Sequence, residues 1–128
     1  MRHSLLLLLL LPLLSLSAAQ AASGDEAIAK HQQGKLEEAA KIAQTGCEQN
    51  DATGCFYMGF KLQQERKLEQ ANVYYEKACG LNLAVGCLSL ANNFRQGLGV
   101  KRDNEVSMKF YQKACDLGEK LACTHLKK

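Results

Sequence analysis

Proline is missing from everything after residue 12, tryptophan is missing altogether, and no stretch alternates apolar with polar residues as a half-buried strand does. These absences argue against sheet-based classes. They leave a chain whose glycines gather at a few junctions between segments that can be helical. With 128 residues, four Tyr and four Phe, the chain is sized for one small domain. A large excess of either charge is missing too. Sixteen Lys and Arg stand against 13 Asp and Glu, and loss of Arg2 with the leader described below leaves 15 against 13. That balance is too even for a polyanion partner, so nucleic acid is excluded, and the basic end Lys127-Lys128 reads as a solvated terminus.

The start of the chain has the form of an export signal. Met1-Arg2-His3-Ser4 carries a positive charge, residues 5–14 are almost all leucine, and Ala19-Gln20-Ala21 supplies a small-x-small cleavage pattern. Cleavage is expected after Ala21, and Ser17-Ala18-Ala19 offers a second position. The apolar run falls short of the about 20 residues needed to cross a bilayer, and no cysteine lies near the junction to carry a lipid. Residues 1–21 are therefore read as a cleaved signal peptide. Residues 22–128 are read as a single domain without a membrane span, monomeric, and periplasmic or secreted.

All six cysteines obey one rule. Cys47 with Cys55, Cys79 with Cys87, and Cys115 with Cys123 are each separated by seven residues. In an oxidising compartment this reads as three disulfides rather than a metal site or a nucleophile. Six cysteines allow about 15 pairings, and the threefold recurrence favours the local one. Residues eight apart on one helix would lie about 12 Å apart, whereas a bridge needs alpha carbons about 5.5 Å apart. The chain must therefore turn inside each pair, and each bridge must tie the end of one helix to the start of the next. Closing nine residues contributes about 2.5 kcal/mol in the chain-entropy account.

Aligned on the cysteines, the chain repeats with periods of 32 and then 36 residues. The extra four fall at the glycine-rich turn Gln96 to Asp103, whose counterpart is the shorter turn Gln64 to Lys67. Leu68, Ala71, Tyr74, Tyr75, Ala78, Cys79 and Val106, Phe110, Tyr111, Ala114, Cys115 step at helical spacing, as do Leu36, Ala39, Ala40, Ile42, Ala43, Cys47. Partner helices are expected over Cys55 to about Gln64 and Cys87 to about Gln96. Small residues recur at Ala39, Ala71 and Ser107 and at Gly54, Gly86 and Ala122, where helices would approach closely. Asn50, Asn82 and Gly118 are residue types that tolerate the left-handed conformation closing a helix. The fold class is all-α: helix-turn-helix units over about 22–53, 54–85 and 86–121, with a C-terminal half-unit 122–128 too short to be a stable helix unless the last bridge holds it.

At these residues the chain resembles the Sel-one-like repeats, relatives of tetratricopeptide repeats, and in particular the Helicobacter-type cysteine-rich proteins. Leu90-Ala91, Phe94, Gly97-Leu98-Gly99-Val100, Asp103, Phe110-Tyr111-Gln112-Lys113-Ala114-Cys115, Gly118 and Ala122 carry the likeness, and Met58-Gly59 and Tyr74-Tyr75-Glu76-Lys77-Ala78-Cys79 repeat part of it. Gly34-Lys35-Leu36-Glu37-Glu38-Ala39 is similar to an ordinary tetratricopeptide turn. The resemblance implies a short right-handed α-solenoid with a concave groove, exported in bacteria. It also implies a binding module for a peptide, a protein or a peptidoglycan fragment, or else a weak beta-lactam hydrolase or penicillin-binding protein, as such proteins are often labelled.

Residues for chemistry are scarce. A serine beta-lactamase places Lys three residues after its nucleophile, and none of Ser23, Ser89 and Ser107 has one there. His31 and His125 are the only histidines after the leader, too few to bind a metal once the cysteines are paired, and both read as surface residues. Gly97-Leu98-Gly99 lacks the following lysine of a phosphate loop. No catalytic residue, metal or cofactor is expected. A groove would be lined by Phe56, Phe60, Gln63, Leu88, Asn92 and Arg95, with Ile28 and His31 from the first unit. Phe56, Phe60 and Leu88 fit a core equally well, because one residue of phase rotates a helical side chain by about 100°.

Overall fold

The structure, a computed structural model, describes residues 23–127. The expected signal peptide lies outside the described residues. Seven helices and no strand are found among them: α1 (Gly24–Gln32), α2 (Leu36–Glu48), α3 (Ala52–Gln64), α4 (Leu68–Gly80), α5 (Ala84–Gln96), α6 (Asn104–Asp116) and α7 (Lys120–Thr124). Each helix packs on its neighbour in sequence, and α1 also reaches α3, which makes the array an all-helical solenoid. None of these helices is long and apolar enough to cross a membrane.

One device ends α1 to α6. Gly34, Asn50, Arg66, Asn82, Gly97 and Gly118 all have positive φ, and the next residue donates its amide to a carbonyl five positions back. Asp51 to Gly46 (2.8 Å), Leu83 to Ala78 (3.0 Å) and Glu119 to Ala114 (2.9 Å) are three of these bonds. This closure satisfies carbonyls that a helix end leaves free and reverses the chain in three residues. Asn50, Asn82 and Gly118 were legible as such positions. Arg66 was not.

Because the reversal is so short, α3 and α5 begin at Ala52 and Ala84, three residues before the expected starts at Cys55 and Cys87. At α3 the Asp51 carboxylate fixes this boundary by accepting the Thr53 amide at 3.1 Å. Asp103 and Glu119 do the same for Val106 and Leu121. The longer turn lies between α5 and α6 as expected. Its Gly99 (φ 70°) lies against the start of α4, where a β-carbon would come within 2.5 Å of the Leu68 backbone.

The bridges Cys47–Cys55, Cys79–Cys87 and Cys115–Cys123 are all formed, with alpha carbons 4.5, 4.5 and 4.8 Å apart. Each joins the second helix of one hairpin to the first helix of the next. The small residues beside them let those helices touch. A β-carbon on Gly54 would lie 2.8 Å from the Ala43 carbonyl oxygen, and one on Gly86 would lie 2.8 Å from the Ala78 β-carbon. Ala39, Ala71 and Ser107 are buried where the members of each pair cross.

A polar link runs through the centre. Asn93 donates to Asn72 Oδ1, and Asn72 donates to the Leu98 carbonyl at 2.7 Å, so α4, α5 and the long turn share one buried chain of hydrogen bonds. Among the described side chains no buried polar atom lacks a partner.

Candidate functional site

The repeat places equivalent positions of α1, α3 and α5 in rows 32 residues apart. Ile28, Phe60 and Asn92 form one row and His31, Gln63 and Arg95 the next. Nearly all the expected groove residues belong to these rows, and the structure divides them into two clusters.

The first lies between α1 and α3. Ile28, His31, Phe56, Tyr57 and Phe60 line a recess of about 210 Å³ whose wall is almost wholly apolar. A second recess of about 220 Å³ adjoins it across His31, Tyr57 and Phe60 and extends to Leu36 and Lys61. Six large apolar side chains are exposed among the described residues, and three of them, Ile28 (39 %), Leu36 (51 %) and Phe60 (40 %), meet here. Single exposed apolar residues are ordinary, and a cluster of them sets this face apart from the rest of the described surface. Tyr57 Oη and His31 Nδ1 share a hydrogen bond of 2.8 Å, and the two rings meet edge to face. Burial raises the Tyr57 phenol above its usual range. Phe56 serves both surface and interior, because it also packs against the Tyr75 ring.

The second cluster lies between α5 and α6 and is polar. Tyr111, fully buried, donates its hydroxyl proton to Asn92 Oδ1 at 2.5 Å and accepts a hydrogen bond from Arg95 Nε at 3.0 Å. His125, from the terminal stub, stacks on the Tyr111 ring with centroids 4.1 Å apart. His125 is thus an exposed residue that covers a core tyrosine.

Two expected residues stand apart. Leu88 is half-buried and packs on the core around Cys79, Cys87 and Tyr111, and Gln63 lines neither recess. Tyr57, Leu36, Tyr111 and His125 belong to the clusters without having been among the expected groove residues. Helical spacing places Tyr111 on a packing face and gives Tyr57 no role, and only the partners of their hydroxyls reveal the second use. Among the serines, Ser107 is buried and donates to the Ala91 carbonyl at 2.7 Å, which gives it a packing duty.

Helix hairpins in series, closed by one type of turn and stapled end to start, define a disulfide-bonded helical-repeat protein. The chain belongs to the Sel1 repeat family, whose model matches residues 52–83 and 84–119. Among solved structures it is similar to Helicobacter pylori cysteine rich protein B (hcpB), at 28% identity and a TM-score of 0.74, over 84% of this chain and 86% of that one. It also shares the fold of a Sel1 repeat protein from Oxalobacter formigenes, at 21% identity and a TM-score of 0.66. There it covers 68% of this chain and spans only 36% of the other. No curated protein matches.

Proposed function

We propose that this chain is an exported binding module for a peptide or protein segment, which it engages by taking a bulky apolar side chain into the recess between α1 and α3. The observation that carries this reading is that Ile28, Leu36 and Phe60 line two adjoining recesses that share Phe60, exposed and not drawn into the core. Three bridges and no free cysteine among the described residues fit an oxidising compartment, and this supports export. The signal-peptide pattern of residues 1–21 supports it independently. A peptide source in the cell wall fits the same recess only if it brings an apolar group.

Phage-displayed peptides selected on the oxidised protein test the reading. Enrichment of sequences with one bulky apolar residue is expected, with binding reduced about tenfold or more by Phe60→Ala, as loss of a buried aromatic contact implies. Selection without apolar preference, or binding indifferent to both Phe60→Ala and Ile28→Ala, would remove the recess from the account.

A further inference from the structure

The second helices of the units, α2, α4 and α6, carry corresponding exposed positions, and the middle helix departs from its neighbours there. Ten, six and three residues before the first cysteine, α2 has Glu37, Lys41 and Gln44, and α6 has Glu105, Lys109 and Gln112. Glutamate and lysine four apart on a helix compensate each other. In α4 the same positions are Glu69, Val73 and Glu76, so an apolar residue replaces the lysine and an acid replaces the amide. Val73, at 66 %, is the most exposed large apolar side chain among the described residues. Beside it lies a recess of about 180 Å³ between α4 and α6, floored by Leu90, Phe94, Val100 and Phe110, with the two phenylalanine rings stacked 5.8 Å apart. Glu69 and Glu76 stand on its rim, about 10.5 Å apart along α4, with Val73 between them. Neither forms an ion pair with a described residue. Two lysines close to them in sequence are used elsewhere: Lys67 pairs with Glu65 at 3.4 Å, and Lys77 donates to the Cys47 carbonyl at 2.8 Å.

We propose that this face docks an amphipathic helix of another protein, one that presents a bulky apolar residue with a lysine or arginine one turn to either side of it. The apolar side chain enters the recess between α4 and α6 beside Val73, and the two cations meet Glu69 and Glu76. A helix keeps three such groups in line, because residues at intervals of three and four share one face. Charge selects the partner: two unpaired carboxylates favour a cationic segment and disfavour an acidic one. Lysine and arginine also lay their stems along apolar surface while the charged end stays outside, which suits an apolar floor with an acidic rim. Helices α2 and α6 form with the compensated set at these positions, so the fold itself does not call for an exposed valine between two acids. The recess shares no residue with the one between α1 and α3, and this face is a docking surface in its own right.

The test is an NMR titration of the isotopically labelled, oxidised protein with an alanine-based helical peptide of about 16 residues that carries lysine, leucine and lysine at these intervals. Amide shifts are expected to concentrate in α4, α6 and the long turn. Replacing the peptide's two lysines by glutamine, or its leucine by alanine, should weaken binding about tenfold or more, the scale of losing an anchoring side chain. Val73→Lys with Glu76→Gln gives α4 the pattern of α2 and α6, so the double variant should fold as the parent does and lose binding to the same extent. Glu37→Gln, an exposed acid on α2, and Phe60→Ala should both bind as the parent does. No shifts in α4 and α6, or an affinity that the double variant leaves unchanged, overturns the docking face. An equal loss in Glu37→Gln overturns it too, since attraction would then be to acidic charge in general. A loss in Phe60→Ala would place the peptide between α1 and α3 and overturn this face while supporting that recess. Sedimentation of the parent alone showing self-association that the double variant abolishes would assign the face to a second copy and overturn a helix from another protein.

Discussion

Asp51 holds two helices at once: one carboxylate oxygen accepts the Thr53 amide at the start of α3, and the other accepts the Gly24 amide at the start of α1. The first contact is an ordinary cap. The second is a long-range tie across 27 residues, and it sets α1, with Ile28 and His31, over the recess. Removing the side chain should therefore cost more than a cap. Asp51→Ala is expected to lower stability by about 1–2 kcal/mol in urea denaturation. It should also raise amide exchange across residues 24–32 well above that of α4. Uniform exchange along the chain would mean that α1 is held by packing alone.

Arg66 is the only left-handed helix closure among the six that is neither glycine nor asparagine, with φ 63°. Its counterpart one repeat earlier is Gly34. Arg66→Gly should relieve the steric cost, offset in part by the greater freedom of glycine in the unfolded chain, and raise stability by about 0.5–1 kcal/mol. A lower denaturation midpoint would indicate that the arginine side chain itself has a structural partner.

Gly86 is closed in by the Ala78 β-carbon and the Cys79 amide nitrogen, at 2.8 and 3.0 Å from where its own β-carbon would stand. Backbone cannot give way as a long side chain does. Gly86→Ala is expected to destabilise the protein by about 1–3 kcal/mol, even though alanine is the better helix former. Gly80→Ala, on the open side of α4 with nothing near, should be neutral or stabilising, and calorimetry of the pair separates crowding from propensity.

Tyr75 is buried, and burial pushes its phenol up to about 12. The unfolded chain ionises this group near its ordinary value of about 10, so the unfolded state loses its proton first. Stability from this source is complete below about pH 10 and declines as pH rises toward the folded value. Thermal unfolding should show that decline, and Tyr75→Phe should flatten it. An equal alkaline slope in parent and variant would assign the effect elsewhere.

Reduction of the bridges should be felt first at the end of the array. Helix α7 has five residues and is held by Cys123, by buried Ala122 and by the His125 stack on Tyr111. A helix this short does not persist without such support. Cys115→Ser with Cys123→Ser should raise exchange in residues 120–126, while α4 and α5 keep their protection. Protection of that segment equal to the centre would show that stacking suffices.

The sequence made the array legible because its determinants are local. Apolar spacing marked the helices, Asn50, Asn82 and Gly118 marked their ends, and the cysteine interval required a turn within each pair. What it left hidden depends on partners distant in sequence. No spacing marks the bond from the Gly24 amide to Asp51, or the buried link that runs from Asn93 through Asn72 to the Leu98 carbonyl. Leu88 and Phe56 occupy the same helical position, yet one turns into the core while the other also lines the recess. Periodicity assigns a face, and only packing decides depth.

Because each bridge crosses the boundary between successive units, a unit such as 52–83 contains two half-bridges, Cys55 facing backward and Cys79 facing forward. Copying or excising one whole unit would leave every thiol with a mate, since each new forward half meets the backward half of whatever follows. The cysteine count stays even at any length. Arrays of this kind can lengthen or shorten without passing through a form that exposes an unpaired, reactive sulfur.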